Sequence, residues 1–195
     1  MDLIRFRQIT MAPRVPPSPP SLRDVFEVVH PKIANATRDA AAALRQAGVR
    51  HLLVGGLAVG AHGYPRATKD VDFLVGDETF FDSSAPIVVP KVQLPYQLHG
   101  VAVDYIPIPL GAAWLAEALD HPQLFDGVPV APVEVVLFMK LSSQRLKDHA
   151  DIIELIKAGV NVEQARLYLA AHLTPLQLAT FEGLVAKAKK EAEDS

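Results

Sequence analysis

The chain has 195 residues, a formal net charge of −3, and 50% hydrophobic against 21% charged residues, the balance of an ordinary globular protein large enough to bury its own core. It has no cysteine, which excludes a disulfide framework or a thiolate zinc site, and its slight acidity excludes a global basic field for nucleic acid. The start, MDLIRFRQIT, is charged and lacks the apolar segment of a signal peptide, and no apolar run has bilayer-spanning length; a cytoplasmic protein with no membrane partner is expected.

Residues 1–21 end in a proline-rich run, Pro13, Pro16, Pro17, Pro19 and Pro20, and read as an extended arm. A capped helix start is expected at Ser21 to Glu27, with Leu22, Val25 and Phe26 on the apolar side. Beyond Pro31, residues Ile33, Ala36, Ala40, Leu44 and Ala47 recur at helical spacing, and Gly48 supplies the stop.

The most informative stretch is His51 to Val75, HLLVGGLAVGAHGYPRATKDVDFLV. It reads as a short strand, a glycine bend at Gly55-Gly56, a small-residue helix, a loop through Tyr64 and Pro65, and a second strand. In a strand, alternate residues face the same way, so Asp70 and Asp72 project together and Val71 and Phe73 project oppositely. Two carboxylates about 5 Å apart repel by roughly 3 kcal/mol at an effective dielectric near 20. A shared proton, neighbouring cations or a divalent metal would relieve that repulsion. The glycine bend lets backbone approach a phosphate. Arg66 is either a surface cation that merely screens the aspartates or a residue that contacts nucleotide phosphates or orders the loop. Thr68 reads first as a turn-ordering hydroxyl, and His62, among small residues, as a structural histidine.

After a polar segment from Gly76 to Ser84, strand character returns at Ile87 to Val92, interrupted by Pro90. The run Val101 to Ile108 is a clearer strand, with Asp104 in its middle, a position that calls for a partner or a ligand. A helix is expected over Gly111 to Leu119, with Trp114 and Leu115 as core or pocket wall. Asp126-Gly127 marks a turn before a short extended piece at Val128 to Val130.

Pro132 to Leu146 reads as one helix with Pro132 at its start. Val133, Val136, Leu137, Lys140 and Leu141 share a face, so Lys140 either snorkels from an apolar edge or meets an anion in a cleft. In the run that follows, Lys147 and Asp151 are spaced as a helical ion pair, and Asp148 with Asp151 suits a structural role in a helix ending near Gly159. Beyond it, Asn161 and Thr174-Pro175 are helix starts, and the end is a charged tail.

The residues Gly55, Gly56, Arg66, Thr68, Asp70 and Asp72, a GG followed by RxTxDxD, resemble the core signature of the DNA polymerase β-like nucleotidyltransferase superfamily. Among its members the pattern is most similar to the small bacterial branch of AbiEii-type toxins and minimal nucleotidyltransferases. Lys140, Arg145, Lys147, Asp148 and Asp151 resemble that branch's K…R.KD..D motif. One departure is Gly56, where many members carry a serine whose hydroxyl touches the triphosphate.

The resemblance implies an α/β nucleotidyltransferase fold, a small mixed sheet flanked by helices. Its core would span residues 22–159; the arm at 1–21 and an added helical region at 160–195 are read from composition and periodicity alone. It implies Asp70, Asp72 and Asp104 as catalytic and metal-binding residues, holding two Mg²⁺ ions, with Mn²⁺ as a substitute. Gly55, Gly56, Arg66, Thr68, Lys140, Arg145 and Lys147 would bind the nucleotide. The implied activity is transfer of an NMP group from an NTP to an acceptor such as tRNA or a protein, in a toxin with an antitoxin partner. The alternative is an inactive nucleotide-binding or interaction module on the same fold.

Overall fold

The computed structural model describes residues 22–80, 90–143 and 145–194. The proline-rich arm and residues 87–89 of the strand expected at Ile87 to Val92 lie outside them. At the edge of that gap, Phe80 and Pro90 form an isolated antiparallel bridge.

Six strands form one mixed sheet: β1 (His51–Leu53), β2 (Asp70–Val75), β3 (Gln97–Leu98), β4 (Val101–Pro107), β5 (Gln123–Phe125) and β6 (Val128–Val130). Their spatial order is β3-β4-β2-β1-β6-β5. The burial pattern follows from that order. β1, paired with β2 on one side and β6 on the other, is buried at every residue, as a central strand must be. β4 alternates, with Val101, Val103 and Tyr105 buried and Ala102 and Asp104 exposed, the period of a strand with one open face. β2 begins half-open at Asp70 and Asp72 and ends fully buried at Phe73, Leu74 and Val75.

Two pairings position the site. β2 runs parallel to β4 with Asp72 opposite Asp104 and Asp70 opposite Ala102. β1 runs antiparallel to β2, so the chain leaves β1 beside Asp72, with the Val54 N–H donating to the Asp72 backbone carbonyl at 2.9 Å. At the far edge, β5 and β6 form a hairpin through Asp126-Gly127, both at positive φ, as the turn signal predicts.

Eight helices accompany the sheet among the described residues: α1 (Leu22–Val28), α2 (Pro31–Gln46), α3 (Gly55–Ala61), α4 (Leu115–Asp120), α5 (Val133–Ser143), α6 (Leu146–Lys157), α7 (Val162–Ala170) and α8 (Pro175–Glu193). α2 lays Ile33, Ala36, Ala40 and Leu44 on the sheet, the stripe read from the sequence. Pro31 stands after the break that follows α1 and opens α2. Asn161 caps α7, and Thr174 with Gln177 forms a reciprocal capping box on α8. α8 packs on α6 and on α5, and α7 also packs on α5.

Two expected helices differ in extent. The one expected over Gly111 to Leu119 begins only at Leu115, because Gly111 sits at φ +81° in a turn and Trp114 is its N-cap. The single helix expected over Pro132 to Leu146 stops at Ser143. Arg145 is extended, at φ −82° and ψ 144°, and is the N-cap of a separate helix, α6. That break lets Asp148 and Asp151 on α6 turn back toward Lys140 on α5.

Candidate metal and nucleotide site

The parallel β2–β4 pairing gathers Asp70, Asp72 and Asp104, with one carboxylate oxygen from each lying within 4.8 Å of the others. Asp70 and Asp72 are half-buried and Asp104 is exposed. The Thr68 hydroxyl donates to Asp70 Oδ1 at 2.9 Å and fixes one edge of the cluster. Burial, followed by the charges of Asp70 and Asp104, pushes the Asp72 carboxyl up to about 6; Lys140 and Lys147 offset this only in part. Three hard oxygen donors whose negative charge is only partly offset fit Mg²⁺ or Mn²⁺ in donor chemistry. Asp70, Asp72 and Asp104 are therefore the residues that could hold such an ion.

The glycine bend is packed against this cluster. Gly55 has φ +65°, and a Cβ there would stand 1.9 Å from Asp72 Oδ2. Both the backbone conformation and the space require glycine. Gly56 has a different neighbour: its Cβ would lie 3.1 Å from the Thr68 hydroxyl and 3.5 Å from Arg66 Nη1. A serine at 56 would crowd Thr68 in this chain, which gives the Gly-Gly departure a local physical basis.

Opposite the aspartates stands a network of mixed charge. Lys140 is 6% exposed and donates to Asp148 Oδ1 at 2.7 Å and to Asp151 Oδ2 at 2.6 Å. Asp148 also accepts from Arg145 Nε at 2.6 Å and from the Ser143 hydroxyl. Asp151 accepts a two-pronged bond from Arg66, at 2.6 and 2.8 Å. Three cations thus face two carboxylates. Asp148 is fully buried, yet its hydrogen bonds to Lys140, Ser143 and Arg145 outweigh burial and hold its carboxyl down at about 2.

A cleft of about 210 Å³ separates the two groups, with Gly55 and Asp72 on one wall and Lys140, Arg145 and Asp148 on the other. Each expected site residue can now be placed. Gly55, Asp72, Lys140 and Arg145 line the cleft, and Asp70 and Asp104 join Asp72 at the cluster. Lys147 is exposed on α6, near enough for its charge to act on Asp72. Thr68 holds Asp70, as its turn-ordering reading suggests. Arg66 is turned to Asp151 and its Nη1 donates to the Ala67 carbonyl at 3.1 Å, so it ties the loop to α6. Asp151 pairs with Lys140 and Arg66 rather than with Lys147 one turn away. His62 is structural: its Nε2 lies 2.7 Å from the Ala131 carbonyl, and burial lowers its pKa.

Sequence reasoning missed that Asp148 and Asp151 jointly hold Lys140. A signal was present, since the two lie three apart on one face of a helix and follow a lone lysine on an apolar face. It named Trp114 as core or pocket wall, and Trp114 does line a cavity, but its ring partners were not foreseen. Trp114 stacks on His172 with ring centroids 3.7 Å apart and meets Phe138 edge-on at 4.8 Å.

No protein-family model matches the chain, and no curated protein sequence does. Among solved structures, an antigenic nucleotidyltransferase-like protein from Paracoccidioides brasiliensis aligns over 78% of this chain and 94% of its own, at 18% identity and a TM-score of 0.42.

Proposed function

We propose that the protein is a metal-dependent nucleotidyltransferase, moving an NMP group from an NTP to an acceptor with release of pyrophosphate. The observation that carries this reading is the register of β2 and β4, which sets Asp72 beside Asp104 and brings three carboxylates together at a glycine bend and a cation-lined cleft. When bound, Mg²⁺ or Mn²⁺ supplies charge neutralisation for the phosphates and acidifies the acceptor hydroxyl.

The chain's own residues do the rest. Asp70 and Asp72 orient the metal, with Thr68 steadying Asp70. Asp104, the most open of the three, takes the acceptor-side position and accepts the hydroxyl proton. The acceptor oxygen bonds to the α-phosphorus as the bond to the pyrophosphate oxygen breaks. Arg145, 61% exposed at the cleft, and Lys140 behind it offset the charge on the leaving pyrophosphate. Gly55 lets the triphosphate approach the backbone beside Asp72.

An inactive module is the weaker reading. A fold without a cation to bind has no use for a carboxylate whose pKa is driven to about 6 by burial and then by two neighbouring carboxylates. The test is a screen of labelled NTPs with Mg²⁺ or Mn²⁺ against total tRNA and cell extract. Metal-dependent labelling that is absent with Asp72→Asn supports transfer; nucleotide binding without any labelled product supports the module. A toxin role for the same chemistry predicts growth arrest on expression, relieved by Asp70→Ala, whereas harmless expression counts against it.

A further inference from the structure

A second cavity of about 440 Å³ adjoins the first and shares Met139 and Ser143 with it. Its walls differ in chemistry. The charged groups are gone, and Trp114, Phe138 and His172 replace them, with Leu110 at 90% exposure and the polar side chains of Ser142 and Gln177. The Trp114–His172 pair is nearly parallel, at 12°, so two flat rings already form a stack at this wall. Gln177 Oε1 is occupied by the Thr174 N–H and hydroxyl, which leaves its Nε2 amide to donate to an incoming group.

The sizes decide how the two cavities are used. The charged cleft, at about 210 Å³, is smaller than the ~300–1,000 Å³ usual for small-molecule sites. It can take a phosphate chain and a metal but not a whole nucleotide. A nucleotide anchored by its phosphates between Asp72 and Arg145 must extend past Met139 and Ser143, which leads into the aromatic cavity. Flat aromatic walls with a few edge-directed polar groups suit a planar heterocycle, whose face stacks and whose edge hydrogen-bonds. They do not suit phosphate.

Resting on the nucleotidyltransferase reading, we infer that the Trp114–Phe138–His172 cavity is the subsite for the nucleobase of the bound NTP. His172 and Trp114 provide the stacking wall, and Gln177 and Ser142 read the edge of the ring. These residues then set base preference, while the charged cleft is indifferent to the base.

Trp114 is the protein's single tryptophan, so all tryptophan fluorescence comes from this wall; it also borders a smaller cavity beside Glu117 and His121, whereas Ser142 and Gln177 line the aromatic cavity and not that one. The four NTPs and inorganic tripolyphosphate are titrated separately into the full chain with Mg²⁺. The subsite predicts saturable change in Trp114 emission with at least one NTP, and none with tripolyphosphate, although tripolyphosphate displaces that NTP. His172→Ala should weaken the NTP on the order of tenfold and leave tripolyphosphate unchanged, while His172→Phe, which keeps a flat ring, should recover most of the affinity. Equal loss for NTP and tripolyphosphate in His172→Ala, or NTP binding with silent Trp114, overturns the subsite and leaves the nucleotide reading standing. If neither NTP nor tripolyphosphate binds, both fall. If a short single-stranded RNA, added after saturating tripolyphosphate, changes Trp114 emission and no NTP does, the ring belongs to the acceptor and the donor-base assignment is wrong.

Discussion

Two groups of aspartates face each other across one cleft, and their chemistry diverges. On β2 and β4, Asp72 has two carboxylates for neighbours, and its pKa rises to about 6. On α6, Asp148 is more deeply buried, but it has Lys140, Ser143 and Arg145 as donors, and its pKa falls to about 2. Burial alone would raise both. The difference lies in what each carboxylate touches. A compensated buried charge holds two helices and a loop in register; an uncompensated one keeps a fold waiting for a cation. The α6 group is structural support for the cations of the cleft, and the β2–β4 group is where chemistry is expected.

The comparison breaks most visibly in activity. Asp72→Asn should lower metal-dependent transfer of labelled NTP by at least about a thousandfold, the scale of losing electrostatic stabilisation in a reacting site, and Asp104→Asn nearly as much. Full activity in the Asp72 variant would remove the catalytic role of the cluster. On the other side, Asp151→Ala leaves Lys140 and Arg66 short of their shared partner and should cost about 3–5 kcal/mol of stability by urea unfolding. An effect no larger than that of a surface substitution would mean that the network is ornamental.

The pH dependence separates the two groups by sign. Asp72 has a folded pKa above its unfolded value, so the metal-free protein binds the extra proton when folded. Its contribution to stability is greatest below about 4 and is lost as pH rises toward about 6. Asp148 has a folded pKa below its unfolded value, so its contribution is complete above about 4 and is lost as pH falls toward about 2. Urea midpoints of the metal-free protein between pH 4 and 7 should therefore shift upward in Asp72→Asn relative to the parent at the higher pH, and converge at the lower. A variant less stable than the parent at pH 7 would contradict the uncompensated reading.

Smaller effects sharpen the geometry. Gly55→Ala forces a methyl group against Asp72 Oδ2 in a left-handed backbone, and should cost about 1–3 kcal/mol and weaken Mn²⁺ binding together. Thr68→Val removes one hydrogen bond to Asp70 Oδ1. It should reduce Mn²⁺ affinity only about fivefold by calorimetry, with the unfolding midpoint nearly unchanged.

Local periodicity made half of this legible. The alternation of DVDFLV placed Asp70 and Asp72 on one face, and the isolated Asp104 in an apolar run marked the partner strand. Their meeting depends on a parallel register, Asp72 opposite Asp104, which no local pattern encodes. Arg66 shows the limit most clearly. Its place before the aspartates suggested a phosphate contact or a loop-ordering role, but not the partner: Asp151, 85 positions away, takes its guanidinium in two hydrogen bonds. The helix expected over Pro132 to Leu146 was legible as helix, while its end at Ser143 was not, because no glycine or proline stands between Leu141 and Leu146 to mark the break. That break, rather than any motif residue, brings Asp148 and Asp151 to Lys140. Trp114 was legible as core or pocket wall, but the other rings of its pocket were not, because Trp114, Phe138 and His172 come from three separate segments.

Titration of Mn²⁺ into metal-free protein at pH 7.5, followed by calorimetry, tests the central claim most directly, using the parent chain, Asp72→Asn and Asp151→Asn. Saturable binding in the parent, lost with Asp72→Asn and kept with a folded Asp151→Asn, is the predicted result. Equal binding by the parent and Asp72→Asn, or none by either, would contradict a metal site built from Asp70, Asp72 and Asp104.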